Sequence, residues 1–445
     1  MISTETLCYA RQHRDEDPRA LALKAKVPAG VNLTEALQQI AGWQTARHKL
    51  PAWAACDGIV YPPHLAMEQC SSEQTARYKA GVVARLLGDK AKDSTLYDLT
   101  GGFGVDFSFL SPLFGRAVYV EQQAPLVEVA HHNFCTLGLN NVEARCGNAL
   151  EALHDIGHAT MIFLDPARRD SSGARTYALT DCTPDVLAMK EELFAKADFL
   201  MLKLSPMLDW RAVVQQLGCV RELHIVSVRN ECKELLVVVA SEAPLLSPQK
   251  GEDMPPLPIV HCVNFVSDVP ETSEISDNPP QTFIFTPASS YIKATEESSP
   301  LWGDKRGASS LDKRGAFSVD NKGALGAFLL VPNASIMKAG CFPELARRYG
   351  VSPISANSHL FISPHSIDDF PGRQFEITAI SSMNKRELRT TFSGISQANV
   401  AVRNFPMSAE QLRHRLRLRD GGNLYVFATT QQDGQHILFL CKKHV

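Results

Sequence analysis

The sequence is poor in the features that mark a metal, disulfide or membrane protein. Its eleven cysteines include no CxxC pair and no Cys/His ligand spacing, which excludes the common zinc sites, and no metal is expected. An odd, unclustered cysteine set fits a reducing compartment, with the thiols used as small core residues. No stretch approaches the roughly 18 uninterrupted apolar residues of a spanning helix, so no membrane partner is expected. The opening MISTETLCYARQHRDEDPRA lacks the basic segment and apolar core of an export signal, and a cytoplasmic location is expected. Charge is nearly balanced, 45 Lys and Arg against 48 Asp and Glu. Any nucleic-acid surface must therefore be local.

What the chain does have is alternation. Its 445 residues leave room for two or three domains. Residues 1–90 read as a helical region: 21–26, 33–50 and 72–87 carry apolar residues at helical spacing, broken by Pro51, Pro62 and Pro63. Thr34 with Gln38 and Ser72 with Thr75 are approximate capping signals. The polar, aromatic stretch 61–79 reads either as an exposed loop entering a capped helix or as a lid over the turn that follows. In 91–245, strand patterns at 96–99, 117–120, 142–145, 161–164, 199–204, 222–228 and 234–239 alternate with helical patterns at 107–113, 125–137, 149–154, 184–197 and 210–217. Such alternation implies a parallel, Rossmann-like α/β sheet. The last two strands are joined only by Arg229-Asn-Glu-Cys-Lys233, too short for a crossover helix. They should form a hairpin that makes one edge strand antiparallel. The expected core is a seven-stranded sheet whose last strand is reversed.

Residues 246–325 change character. Within 300–325 lies a repeat of period eight, Asp304-Lys-Arg-Gly-Ala308, Asp312-Lys-Arg-Gly-Ala316 and Asp320-Asn-Lys-Gly-Ala324. Three such polar copies cannot bury a shared core, and a flexible insertion is expected. The flanks 259–265, 282–286 and 328–331 are strand-like. From 326 to 445 the pattern is globular α+β, with helices at 335–340 and 343–349 and strands at 360–362, 373–379, 399–402, 424–428 and 436–441. Segment 408–419 reads as a basic helix carrying Arg413, His414, Arg415, Arg417 and Arg419, with 384–389 and Arg403 adding charge. Such a helix is either a solvated face or a nucleic-acid surface.

The chemistry concentrates on strand ends in 91–245. Asp98-Leu-Thr-Gly-Gly-Phe-Gly104 closes the first strand with a glycine turn able to approach a ligand closely. Glu121, about twenty positions on, stands where a carboxylate can accept both ribose hydroxyls of a nucleoside. Asn148 follows the third strand, placed to bond an adenine edge. Asp165-Pro166 ends the fourth, where proline stiffens the turn and exposes the carboxylate. Singly, each reads as well as a cap or an Asx turn; in consecutive strand order they read together as a site. The turn has no third glycine of a G-x-G-x-x-G motif. Asp98 and Asp106 flank it and would repel pyrophosphate, whereas they attract the sulfonium and ammonium of S-adenosylmethionine.

The same residues carry a family resemblance. Asp98 to Gly104, Glu121, Asn148 and Asp165-Pro166 resemble the first four motifs of class I S-adenosylmethionine-dependent methyltransferases. Ser72-Glu-Gln-Thr-Ala-Arg-Tyr-Lys79, Phe163-Leu-Asp-Pro-Ala-Arg-Arg169 and Leu202-Lys-Leu-Ser-Pro-Met207 are similar, more narrowly, to bacterial methyltransferases with a C-terminal THUMP-like domain. So are Pro332-Asn-Ala-Ser-Ile-Met-Lys-Ala-Gly340, Asp369-Phe-Pro-Gly-Arg373, Val402-Arg-Asn-Phe-Pro406 and Asp420-Gly-Gly422. Asn148 departs from the family, in which many members carry Asp. The resemblance implies a ferredoxin-like segment over 326–372 and a THUMP-like domain over 373–445. It also implies that Asp98, Thr100, Gly101, Gly102, Phe103 and Gly104 hold the methionine part of the cofactor, Glu121 the ribose and Asn148 the adenine, with Asp165 and Pro166 facing the methyl group.

Asp165 is the expected catalytic residue, orienting an amine or taking its proton. The aromatic base clamp of an Asp-Pro-Pro-Tyr motif is missing, since Ala167 and Arg168 stand in its place, and neither strand-end motif supplies a cysteine for carbon-5 chemistry. Arg168 is expected to hold substrate phosphate or pair locally, and Arg413, Arg415 and Arg417 to contact RNA. The reading is a methyltransferase acting on structured RNA. A non-catalytic RNA- or protein-binding module on this fold and a protein or small-molecule methyltransferase stand as alternatives.

Overall fold

The computed structural model describes residues 2–23, 27–168, 179–240, 257–267, 279–288, 292 and 325–444. The period-eight repeat and Arg169 lie outside them. The chain forms two compact units: one holds the described residues up to Arg229 and from Lys233 to Ala240, the other Asn230–Cys232, Ile259–Phe265 and those from Pro280 onward. No helix among the described residues is long and apolar enough to cross a membrane.

The first unit begins with six helices, α1 (Thr4–Gln12), α2 (Pro18–Ala22), α3 (Leu33–Lys49), α4 (Pro51–Ala55), α5 (His64–Gln69) and α6 (Glu73–Leu87). Ser72 caps α6 as expected, accepting from Thr75 N. Thr34 is not a cap. Asn32 starts α3, because its shorter reach to Glu35 N satisfies an orphan donor two positions earlier. Stretch 61–79 is not an exposed loop: Tyr61, Met67, Ser71, Glu73, Ala76 and Lys79 are all buried.

The sheet follows: β1 (Thr95–Asp98), α7 (Val105–Leu110), β2 (Arg116–Glu121), α8 (Ala124–Thr136), β3 (Val142–Cys146), α9 (Ala149–Asp155), β4 (Ala159–Leu164), α10 (Lys190–Lys196), β5 (Ala197–Leu204), α11 (Trp210–Leu217), β6 (Val220–Val228) and β7 (Glu231–Ala240). All seven expected strands are present. Their order is β3-β2-β1-β4-β5-β7-β6. Strands β1 to β5 run parallel, and β7 is antiparallel to β5. The reversed strand is thus interior, not at the edge. Leu235–Val239 is apolar on both faces and wholly buried, a pattern that belongs between strands. The β6–β7 turn is made by Arg229 and Asn230 with φ of 51° and 62°, the left-handed pair that a two-residue hairpin of this twist requires. The helix expected over 184–197 is confined to α10, because Asp185 Oδ1 accepts from Leu187 N at 3.0 Å and Ala188 N at 3.1 Å, an alternative to helical pairing.

Helix α6 is tied to β6 by a polar clasp. Tyr78 Oη lies 2.8 Å from His224 Nδ1, His224 Nε2 lies 3.2 Å from Glu222 Oε2, and Arg85 pairs with both Glu222 oxygens.

In the second unit β8 (Ile259–Phe265) pairs antiparallel with β9 (Gln281–Phe285). A seven-stranded sheet follows from β10 (Phe328–Pro332), β11 (Ser352–Pro353), β12 (Phe361–Ser363), β13 (Gly372–Ser382), β14 (Asn399–Val402), β15 (Leu424–Thr430) and β16 (His436–Lys443), in the order β11-β12-β10-β13-β16-β15-β14. Alternate residues feed two cores. Phe375, Phe427 and Phe439 pack on one face, and Val426, Leu438 and Leu440 pack on the other with Leu412 of α15 (Ala409–Leu416). The other helices of this unit are α12 (Ala334–Ala339), α13 (Phe342–Tyr349) and α14 (Lys385–Thr391). The basic helix stops at Leu416, three residues short of expectation, because Arg417 adopts the left-handed C-cap with φ 57°.

Burial raises the Glu222 carboxyl, but hydrogen bonds from His224 and Arg85 more than offset it and hold the pKa well below its ordinary 4.5. A lowered folded pKa contributes stability above the unfolded value and loses it as pH falls toward the folded one. Urea denaturation should therefore find wild type losing stability below about pH 4.5, with a shallower acid dependence in Glu222→Gln. Equal acid slopes would remove this role.

Candidate active site

The glycine turn is shaped by two aromatic rings beneath it. A Cβ on Gly101 would lie 2.1 Å from the Tyr119 ring, and one on Gly104, at φ +85°, 2.7 Å from Phe134. Gly102, at φ +54°, meets nothing nearer than Thr100 O at 3.9 Å. The turn is therefore packed from below and open at Gly102. Gly101 N donates to Val120 O at 2.9 Å, Gly104 N to Gly101 O at 2.8 Å, and Tyr119 Oη to Gly102 O at 2.5 Å.

Around this cradle the structure gathers most of the residues singled out in the sequence. Thr100 N donates to Asp98 Oδ1 at 3.0 Å, and Asp165 N donates to Thr100 Oγ1 at 2.6 Å, so Thr100 links the first and fourth strand ends. Glu121 accepts Gly102 N at 3.0 Å and Gln123 N at 2.9 Å. Pro166 is buried behind Asp165. The Phe103 ring faces inward, edge-on to Trp53 at 4.9 Å, and leaves only its main chain to a ligand. Asn148 is the N-cap of α9, its side chain accepting Leu150 N at 2.8 Å. Its neighbour Gly147 N donates to Glu121 O at 3.1 Å, which keeps it beside the second strand end. Arg168 lies in a two-residue ladder with Cys182. Arg413, which pairs with Asp420 at 3.3 Å, and exposed Arg415 and Arg417 belong to the second unit.

Sequence reasoning missed a buried charge network under the turn. Lys79 Nζ lies 2.7 and 2.8 Å from the Glu234 oxygens, 3.3 Å from Ser71 Oγ and 3.2 Å from Asp106 Oδ1. Ser71 Oγ donates to Asp106 Oδ2 at 2.7 Å. Lys203 Nζ lies 3.7 Å from Asp106 Oδ2 and 2.5 Å from Asp165 Oδ2. The signal was there: Lys203 interrupts the apolar run Phe199-Leu-Met-Leu-Lys-Leu204, and a strand lysine among buried neighbours needs a carboxylate.

The electrostatics are acid-rich. Burial, with Asp106, Asp165 and Glu121 nearby, pushes Asp98 well above the usual carboxylate range despite the Thr100 N–H. Burial acts the same way on Asp106, but Lys79 and Lys203 prevail and lower it. Burial also raises Glu234. Lys203 is pulled down by burial and raised further by Asp165, Asp106 and Glu234. A cationic cofactor fits this donor set, and the open space over Gly102 admits its backbone-like end.

Removing one partner of a buried pair leaves an uncompensated charge and costs about 3–5 kcal/mol. Lys79→Met should lose stability on that scale in urea denaturation, and Lys79→Met/Glu234→Gln should recover part of it. A double variant no better than the single one would show that the pair is not coupled.

Comparison with known proteins places this geometry. Residues 372–443 match a THUMP domain-like family and 328–371 a ferredoxin-like domain. Both matches fall on the second unit's sheet, where β10 pairs with β13. Uncharacterized S-adenosylmethionine-dependent methyltransferases from two strains of Mycobacterium tuberculosis are 23% identical over 368 residues, 82% of this chain and 83% of theirs. A crystal structure from Porphyromonas gingivalis W83, named as a methyltransferase, aligns over 100% of both chains with 29% identity and a TM-score of 0.76. The sheet order and the acid-flanked glycine turn agree with these likenesses and point to an S-adenosylmethionine-dependent methyltransferase, similar to those named above, with a ferredoxin-like module over 328–371 and a THUMP-like module over 372–443.

Proposed function

We propose that this methyltransferase acts on a nucleotide of structured RNA. The observation that carries the reading is the charge of the THUMP-like segment. Residues 372–443 hold eleven Lys and Arg against five Asp and Glu, in a chain whose net charge is −3. Lys385, Arg386, Arg389, Arg403, Arg415 and Arg417 are all exposed. Segregated positive charge on a THUMP-like module is the footprint of a phosphate backbone.

In the first unit Asp98 and the Gly101–Gly104 main chain would hold the methionine end of the cofactor, Glu121 the ribose and Asn148 the adenine edge. S-adenosylmethionine supplies a methyl group already activated by its sulfonium, so the protein's task is to position the acceptor and receive a proton. Lys203 fixes Asp165 through Oδ2, and Oδ1 has no partner among the described residues. Asp165 Oδ1 is the atom offered to an acceptor N–H.

Nucleoside mass spectrometry of RNA from cells with and without the gene should show one methylated nucleoside missing; unchanged RNA with methyl label in protein would overturn the RNA reading. Asp165→Asn should lower kcat/KM at least about a hundredfold while cofactor affinity holds, and Glu121→Ala should weaken cofactor binding about tenfold by calorimetry. Because ionising Asp98 favours a cation, cofactor affinity should fall as pH is lowered through its raised pKa, and this dependence should flatten in Asp98→Asn. Neutralising Arg415 and Arg417 should reduce RNA affinity and shrink its salt slope by roughly 0.7–0.9 per lost phosphate contact.

A further inference from the structure

The N-terminal helices enclose a cavity of about 190 Å³ that the methyl-transfer residues do not line. Buried Tyr61 is one of its lining residues. The ring lies over Gly42 of α3, where a Cβ would sit 2.3 Å from Tyr61 Cβ. A mid-helix glycine costs about 0.5–1 kcal/mol relative to alanine, so the helix gives up stability to seat this side chain. Gln38 and Gln39 donate to Tyr61 O at 3.1 and 2.8 Å, and Tyr61 N donates to Gln39 Oε1 at 2.8 Å. The residue is only 4% exposed. Its hydroxyl nevertheless has no hydrogen-bond partner among the described residues, and burial keeps it protonated.

The walls are apolar, with Leu7, Ile59 and Trp43. Trp43 is fixed by its Nε1–H to Ala54 O at 3.1 Å. The Arg14 guanidinium, another lining group, stacks 4.5 Å from the Trp43 centroid and forms no ion pair among the described residues. Arg11 is spent on Asp57 at 2.6 Å, which removes that acid's repulsion. A second hollow shares Arg14 and Trp43 and continues to Arg47, 5.7 Å from the same ring.

An unpartnered Tyr61 hydroxyl, mostly apolar lining residues and an unpaired Arg14 guanidinium suit a planar heterocycle with one polar edge and an anionic end. We propose that this cavity takes one unpaired nucleotide of the RNA substrate, base edge on Tyr61 Oη and phosphate on Arg14. Stacking and one phosphate contact are the usual terms of single-strand recognition. The choice of RNA as the source rests on the proposed function; the nucleotide chemistry of the cavity does not.

The test titrates the full chain with a ten-nucleotide single-stranded RNA and, separately, with adenosine, guanosine and uridine 5′-monophosphates. Arg14→Ala should weaken RNA binding roughly tenfold and Tyr61→Phe severalfold. S-adenosylmethionine affinity should stay unchanged in both, which confirms that the unit is folded. A photoreactive 4-thiouridine in the RNA should cross-link within residues 4–61. Mononucleotide binding that depends on Arg14, without RNA binding or methylation, keeps the site and removes RNA as its source. RNA that is methylated and bound equally by wild type and both variants, with no cross-link in 4–61, overturns the inference and leaves the RNA reading standing.

Discussion

The catalytic unit depends on the buried pairing of Lys79 and Lys203 with Asp106, Glu234 and Asp165. Lys79 is wholly inaccessible, and the carboxylates that hold it come from a helix after the glycine turn and from the reversed strand. Charges this deep are tolerable only when each is met at hydrogen-bond distance. α6, α7, β4, β5 and β7 must therefore be in register together, or several charges lose their partners at once. The network ends at Asp165, the one member half open to solvent. Structural rigidity and the presentation of a solvent-facing carboxylate are thus one arrangement.

The glycine turn answers a different constraint. Tyr119 and Phe134 press on it from the sheet side, so Gly101 and Gly104 are required by packing. Only Gly102 faces open space, and its N–H is already held by Glu121. The cradle is pre-formed, and acid residues around it set the sign of charge it accepts.

Charge is divided between the units. The C-terminal sheet buries both faces, which pushes its polar residues to the rims, helix ends and loops, where arginine and lysine predominate. The first unit holds Lys79, Lys203, Asp106 and Glu234 inward, in pairs. A chain with almost no net charge can in this way carry an acid-lined glycine turn and a basic surface without either cancelling the other.

Periodicity alone located every strand of the catalytic sheet, the hairpin at Arg229 and Asn230, and the strand-end residues Asp98, Glu121 and Asp165, because local apolar spacing and turn chemistry are written in neighbouring residues. It misjudged where β7 sits, since strand order is set by which faces must be covered, although Leu235–Val239 carried the hint. It put a cap on Thr34 and ran the basic helix through Arg417, both matters of one side chain's reach or one backbone angle. The lysine partners were beyond it altogether. Lys79 and Glu234 are 155 residues apart in the chain, and Tyr61 and Gly42 meet only because the segment between α4 and α5 passes over α3. Sequence determined which elements form and which acids end the strands; tertiary packing decided which charges are paired and which hydroxyl is left without a partner, because those depend on residues far apart in the chain.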